Sequence, residues 1–129
     1  MKTSLAALVG LAALAASAPS FAHHSTVAYD MSRTIEVKGV VKEFEPQNPH
    51  MILRVVVSDA KGVHTISFEG QSVSNMYRLG YRRGMINVGD TIRVFYAPLR
   101  TGEEGGFFNR VITAHGKSIG AHATPASPL

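Results

Sequence analysis

Polar and apolar residues alternate along most of the chain after residue 33, and this pattern predicts β-strands. Residues 34–44 alternate as expected for a strand with one solvent-facing side. Gly39 stands in the middle of this segment, where a residue without a side chain lets a barrel strand bend. Turn-forming residues at 45–49 and 59–62 separate it from two further alternating segments. The first half is therefore predicted to be a three-stranded meander.

The pattern changes to helical spacing at residues 72–79, where Val73 and Met76 share one face and Gly80 can end a helix. Alternation then returns for two more strands. The five predicted strands span 34–44, 50–58, 63–69, 91–97 and 107–114. This order of three strands, one short helix and two strands predicts an all-β fold. We expect an OB-like barrel, in which the sheet curls and closes on itself. An open antiparallel sheet with one helix is the alternative.

The first 22 residues have the composition of a signal peptide. Lys2 precedes an apolar run at residues 5–16, and the small residues Ser20 and Ala22 occupy the positions that signal peptidase requires. The run is too short and too rich in Ala and Gly for a permanent membrane helix. The pattern predicts export to the periplasm, cleavage before His23, and no stable membrane anchor afterwards.

The predicted organisation is a signal peptide at 1–22, an OB-like domain with an N-terminal histidine-containing arm at 23–115, and a disordered tail at 116–129. Two alternatives remain for the start of the chain. The segment could stay uncleaved as an anchor, or the cut could fall after Ala18, although Pro19 would then follow the scissile bond.

Composition narrows the possible functions. The chain has no cysteine, so disulfides and thiolate metal sites are excluded. The formal net charge is +4 with Lys2 counted, and so mild an excess does not indicate a nucleic-acid partner. The expected partners are a metal ion or another exported protein.

The predicted new N-terminus, His23-His24, is the first candidate for chemistry. A terminal histidine can chelate a metal through its α-amino nitrogen and its imidazole. One further imidazole would complete a T-shaped histidine brace, which suits copper because amine and imidazole nitrogens are good copper donors. If Ala22 were retained, His24 would be the third residue, a spacing that binds Cu(II) through backbone amides. An exposed start with unliganded histidines is the simpler alternative.

Asn48-Pro49-His50 is the second candidate, since a stiff turn would hold His50 in a fixed direction. Glu69 closes the third strand, where it is expected to point at the barrel mouth. A simpler alternative exists for each residue: His50 could be a half-buried histidine of a turn, and Glu69 could be a solvated residue at the end of a strand. A third feature, the basic aromatic cluster Tyr77, Arg78, Tyr81, Arg82 and Arg83, could hold an anionic ligand or could be a solvated face.

Several short motifs together resemble those of a family of small exported bacterial proteins, the DUF6152 family. They are His23-His24-Ser25, Tyr29-Asp30, 39–44, Asn48-Pro49-His50, 72–75, Gly80-Tyr81-Arg82, Gly89-Asp90 and 98–102. Tyr81 stands where the family has Trp, and 72–75 departs from the usual Ser-Pro-Asn. The resemblance implies the domain limits and export, and it implies no activity.

These observations favour a periplasmic metal-binding protein, a copper carrier or buffer with His23 and His50 as ligands and His24 and Glu69 as further ones. The rival hypothesis is a non-catalytic interaction module that binds a protein partner or an anionic ligand on the barrel face. A copper oxidase is a third class, but the sequence has no evident proton donor, so we do not expect an enzyme.

Overall fold

The computed structural model describes residues 26–121 and confirms the predicted fold class, with one short helix between the third and fourth strands. The elements are β1 (Ile35–Glu45), β2 (Ile52–Asp59), β3 (Gly62–Gly70), α1 (Val73–Arg78), β4 (Thr91–Pro98), β5 (Gly106–Ile112) and β6 (Ser118–Gly120). Each predicted strand overlaps an observed one, and the helix is shorter than predicted by one residue at each end.

Strands β1 to β5 form a closed barrel. The order in the sheet is β3-β2-β1-β4-β5-β6, with antiparallel pairing along the row, and β5 also pairs with β3 in parallel. This last pairing joins Phe68 to Gly106, Glu69 to Phe107 and Gly70 to Phe108, and we call it the seam. The seam turns the sheet into the OB-like barrel and excludes the open-sheet alternative.

The barrel interior is filled by the apolar residues of each alternating strand. Leu53, Val55, Phe68, Val94 and Phe108 are at most 1% exposed. Interior and exterior residues alternate because successive side chains of a strand point to opposite faces. Burial of this set is the main source of stability in so small a domain.

Gly39 is required by a close approach of two strands. A Cβ atom at this position would overlap the side chain of Val55 and the carbonyl group of Val56, both in β2. The sequence predicts a bend here, and the close contact with β2 excludes a side chain.

Helix α1 is fixed at its start to the loop that follows β1. The Ser72 side chain caps the helix by accepting a hydrogen bond from the Asn75 amide. The Val73 amide donates to the Gln47 carbonyl at 3.1 Å, and the Asn48 side chain lies within hydrogen-bonding distance of Ser74. Helix α1 therefore supports the loop that carries His50.

The predicted tail begins too early. Ser118–Gly120 form β6, which pairs with the end of β5, and Ile119 is fully buried. Composition did not reveal this strand, because Ile119 is a single large apolar residue in a segment rich in Gly and Ser. Residues 122–129 lie outside the described part of the chain.

The N-terminal arm, residues 26–32, runs along the end of β4 and the loop after it. Tyr29 forms an isolated bridge with Leu99, the Asp30 amide donates to the Pro98 carbonyl at 2.8 Å, and the Arg100 amide donates to the Ala28 carbonyl at 2.9 Å. The arm is thereby brought to the outside of the seam. Across residues 26–121, no helix is long and apolar enough to cross a membrane.

Candidate functional site

His50 and Glu69 lie side by side on the outer surface of the barrel. His50 precedes β2, and backbone hydrogen bonds on both sides of Met51, to Gly70 and Gln71, hold this segment against the end of β3. The Nδ1 atom of His50 lies 3.4 Å from Oε1 of Glu69. The two predicted ligands are thus brought together from separate elements.

The hydrogen bond made by His50 defines which ring nitrogen is available. Its Nδ1 lies 3.0 Å from the carbonyl oxygen of Gly70, which can only accept a hydrogen bond. We therefore place the proton of the neutral imidazole on Nδ1, which leaves Nε2 with a lone pair. The side chain is 33% exposed, so a ligand can approach from solvent.

Tyr29 is a third member of this site, and the sequence analysis gave it no role. Its hydroxyl group donates a hydrogen bond to Oε2 of Glu69 at 2.8 Å. Its ring packs on Phe107 in β5, with ring centroids 5.5 Å apart, in a small apolar cluster that also contains Ala97. The arm, β3 and the loop before β2 therefore meet at a chain of contacts, Tyr29 to Glu69 to His50, which we call the outer site.

The expected direction of Glu69 was wrong. Phe68 faces the barrel interior, and Gly70 faces it too, since a Cβ there would overlap the ring of Phe108. Glu69 lies between them, so its side chain points outward across the seam and not into the barrel mouth. The sequence is enough to predict this outward direction, because an apolar Phe68 is expected to face the interior and its neighbour Glu69 then faces the opposite side.

The histidine pair of the predicted brace, His23 and His24, lies outside the described residues, so its placement remains a prediction. Within residues 26–121, no group of three or more His, Cys, Asp and Glu side chains is arranged to hold a metal ion. The outer site contributes one histidine and one carboxylate from this part of the chain.

Three other carboxylates, those of Asp30, Glu43 and Glu45, have structural partners. The Ser32 hydroxyl group donates to Asp30 at 2.6 Å and lowers the pKa of that carboxyl group. Glu43 and Glu45 both pair with Arg54, whose hydrogen bond lowers the pKa of Glu43. These groups stabilise turns and strand edges and lie apart from the outer site.

Histidine and methionine residues elsewhere divide into core and surface positions. Met51 and Met76 are fully buried in the core. His64 is half-buried at the start of β3, where its Nε2 atom lies 3.2 Å from Glu104. His115 is exposed on a turn between β5 and β6.

The environment of Tyr29 leads to a testable pH dependence. Burial, then the hydrogen bond to Glu69 and its negative charge, raise the pKa of the Tyr29 phenol well above its usual value. A phenol with a raised pKa in the folded state stabilises the fold below its unfolded pKa of about 10, and this contribution is lost as the pH rises toward the folded pKa. We expect the free energy of unfolding to fall above about pH 10.

Urea unfolding at a series of alkaline pH values would measure this loss in the wild type and in Tyr29→Phe. Burial also raises the pKa values of Tyr81 and Tyr96, so the wild type alone does not isolate Tyr29. Tyr29→Phe keeps the ring but has no ionisable hydroxyl group, so its free energy of unfolding should fall less steeply with rising pH. Parallel declines in the two proteins would contradict the assignment.

The fold and the outer site together define a small closed β-barrel of the OB type with a polar chain of contacts on its outer surface. The chain belongs to the family described as "Family of unknown function (DUF6152)", whose model matches residues 11–109. No curated protein and no solved structure matches the chain. The match confirms membership of the DUF6152 family, which the sequence motifs indicated.

Proposed function

We propose that this protein is an exported metal-binding protein, a periplasmic copper carrier or buffer whose metal is held between the N-terminus and His50. The observation that carries the proposal is the orientation of His50. Histidine ligands in metalloproteins commonly donate their second ring N–H group to a backbone carbonyl or a carboxylate, which fixes the tautomer and the ring. Nδ1 of His50 donates to the carbonyl group of Gly70 and lies 3.4 Å from the Glu69 carboxylate, with Nε2 turned to the other side.

The path of the arm supports a contribution from the N-terminus. Tyr29 binds Glu69 directly, and Thr26, the first described residue, is hydrogen-bonded to Tyr29 through its carbonyl group. His23 precedes Thr26 by three residues. Three residues span at most about 10 Å, so the backbone of His23 can reach only positions within this distance of Thr26. The amine and imidazole of a cleaved His23 would supply two nitrogen donors, and Nε2 of His50 the third.

The structure changes the role that we assign to Glu69 in this proposal. The sequence suggested a possible ligand, but its two carboxylate oxygens face His50 and the Tyr29 hydroxyl group. We therefore treat Glu69 as a positioning residue that orients His50. His24 remains a further possible ligand.

Copper is the preferred metal because the proposed donors are nitrogen atoms. Imidazole and amine nitrogens suit copper, and the stability of divalent complexes is highest at copper among the first-row metals. The chain has no cysteine, so thiolate coordination plays no part. Binding should weaken in acid, since protons compete for the nitrogen donors.

The test is a metal titration of exported protein whose start at His23 has been verified by mass spectrometry. His50→Ala and a variant with one glycine added before His23 should each lose about 10-fold to 100-fold in copper affinity, measured by competition with a chelator of known strength. Glu69→Gln should keep measurable binding with a weaker affinity, because it removes an orienting charge and leaves the donors in place.

Matched controls separate these losses from general effects. His115→Ala removes an exposed imidazole far along the chain, and one glycine added after Leu129 extends the other terminus. Both should bind copper like the wild type. Equal affinity in the wild type, His50→Ala and the N-terminally extended protein would refute the proposal, as would a mature protein that starts elsewhere.

A further inference from the structure

A second surface, at the opposite end of helix α1 from the loop that carries His50, has a concentrated positive charge. Residues 70–89 contain three arginines and no acidic residue. Arg78, Arg82 and Arg83 are exposed, and Tyr77 beside them is 39% exposed. We call these four residues the arginine patch. They lie at the end of α1 and in the loop that follows it.

Arg82 is held in a fixed position within the patch. Its Nη1 atom donates to the carbonyl groups of Tyr77 at 2.8 Å and Tyr81 at 2.6 Å. Its guanidinium carbon lies 5.7 Å from the centre of the Tyr77 ring. These contacts use one nitrogen and leave the remaining donors of the guanidinium group for another molecule. A fixed arginine loses less side-chain entropy when it binds than a mobile one.

The arginines of the patch differ from two other arginines of the barrel, Arg54 and Arg93, which have carboxylate partners. Arg54 pairs with Glu43 and Glu45, and Arg93 pairs with Glu36. Within residues 26–121, by contrast, no carboxylate lies within 4.0 Å of a basic group of the patch. Three like charges at one place, without a carboxylate partner among the described residues, indicate a complementary anionic surface.

We propose that the arginine patch docks an acidic segment of a partner protein. Arginine and tyrosine, together with tryptophan, are the residues most enriched at the energetic centres of protein interfaces. Recognition of anionic lipid by a basic cluster typically uses about 4 to 8 basic residues, and the patch has fewer. Carboxylates of Asp and Glu match the planar donor groups of arginine.

The position of the patch places a docked partner near the outer site. Helix α1 ends at the patch and begins against the loop that carries His50, through the contact of Val73 with Gln47. Six helical residues span about 9 Å. Docking at the arginine patch depends on its charges and does not require a bound metal.

The test uses a short fluorescent peptide of alternating Glu and Ala as the probe. Fluorescence anisotropy at low ionic strength should show binding that weakens as salt is added. The double variant Arg82→Ala/Arg83→Ala should bind roughly fivefold to tenfold more weakly, because two exposed ion pairs with the peptide are lost. Arg83→Ala alone provides a second variant that leaves the carbonyl contacts of Arg82 intact.

The matched control is Lys38→Ala/Lys117→Ala, which removes the same charge from exposed positions elsewhere on the barrel. This control should bind the peptide like the wild type. In the wild type, the changes in amide chemical shift on peptide addition should cluster at residues 77–83. An equal loss of affinity in the control pair would overturn the proposal. So would binding to phosphatidylglycerol vesicles without binding to the peptide, which would identify a lipid surface instead.

Discussion

Replacement of Phe108 by alanine is expected to lower the free energy of unfolding by about 3–5 kcal/mol. Phe108 is fully buried, and its register partners are Gly70 in β3 and Tyr96 in β4. Its ring covers the inner side of the seam, in close contact with Gly70. Alanine would lose the apolar contacts of the ring and leave a cavity that the surrounding strands can only partly fill.

Urea unfolding followed by circular dichroism would measure this effect. Val63→Ala is the control, because Val63 lies at the start of β3 and is 74% exposed. Its free energy of unfolding should stay within about 0.5 kcal/mol of the wild type. A loss below about 1 kcal/mol in Phe108→Ala would mean that the ring does not support the seam as described.

Gly39→Val should destabilise the barrel by about 3 kcal/mol or more, at or beyond the upper end of typical overpacking costs. Valine favours strands by its intrinsic propensity, so a loss of stability here must come from packing. Its side chain would enter space held by Val55 and by the carbonyl group of Val56. The backbone of β2 cannot yield without disturbing its pairing with β1.

The control introduces the same residue at the neighbouring position. Lys38 is exposed on the other face of β1, opposite Arg93 in the register with β4. Lys38→Val should change the free energy of unfolding by less than about 0.5 kcal/mol. If Gly39→Val were equally mild, the close approach of β1 and β2 would be refuted.

Much of the fold could be predicted because it depends on local pattern. Alternation located β1 to β5, and the change to helical spacing located α1 between Gly70 and the fourth strand. The short strand β6 could not be found in this way, since Ile119 is one apolar residue among small and polar neighbours. The pairing of β3 with β5 joins residues distant in sequence, so no local pattern encodes its register.

The candidate site was predicted in part. Turn chemistry identified His50, and the end of a strand identified Glu69. The barrel topology brings Nδ1 of His50 to 3.4 Å from Oε1 of Glu69. The role of Tyr29 was missed, because its partner Glu69 is 40 residues away in the chain. The available nitrogen of His50 could not be predicted either, since it is set by one backbone carbonyl group, that of Gly70.

Tyr29 joins the two strands of the seam from outside, with its ring on Phe107 in β5 and its hydroxyl group on Glu69 in β3. The seam has only three register pairs, against eight between β2 and β3. Brief local opening of the barrel is therefore expected there first, since openings begin where the fewest interactions must break. A ligand held between the arm and His50 would favour the closed barrel by mass action. Proteases would then remove empty molecules faster than loaded ones, so that the cellular lifetime of this protein would itself report its occupancy.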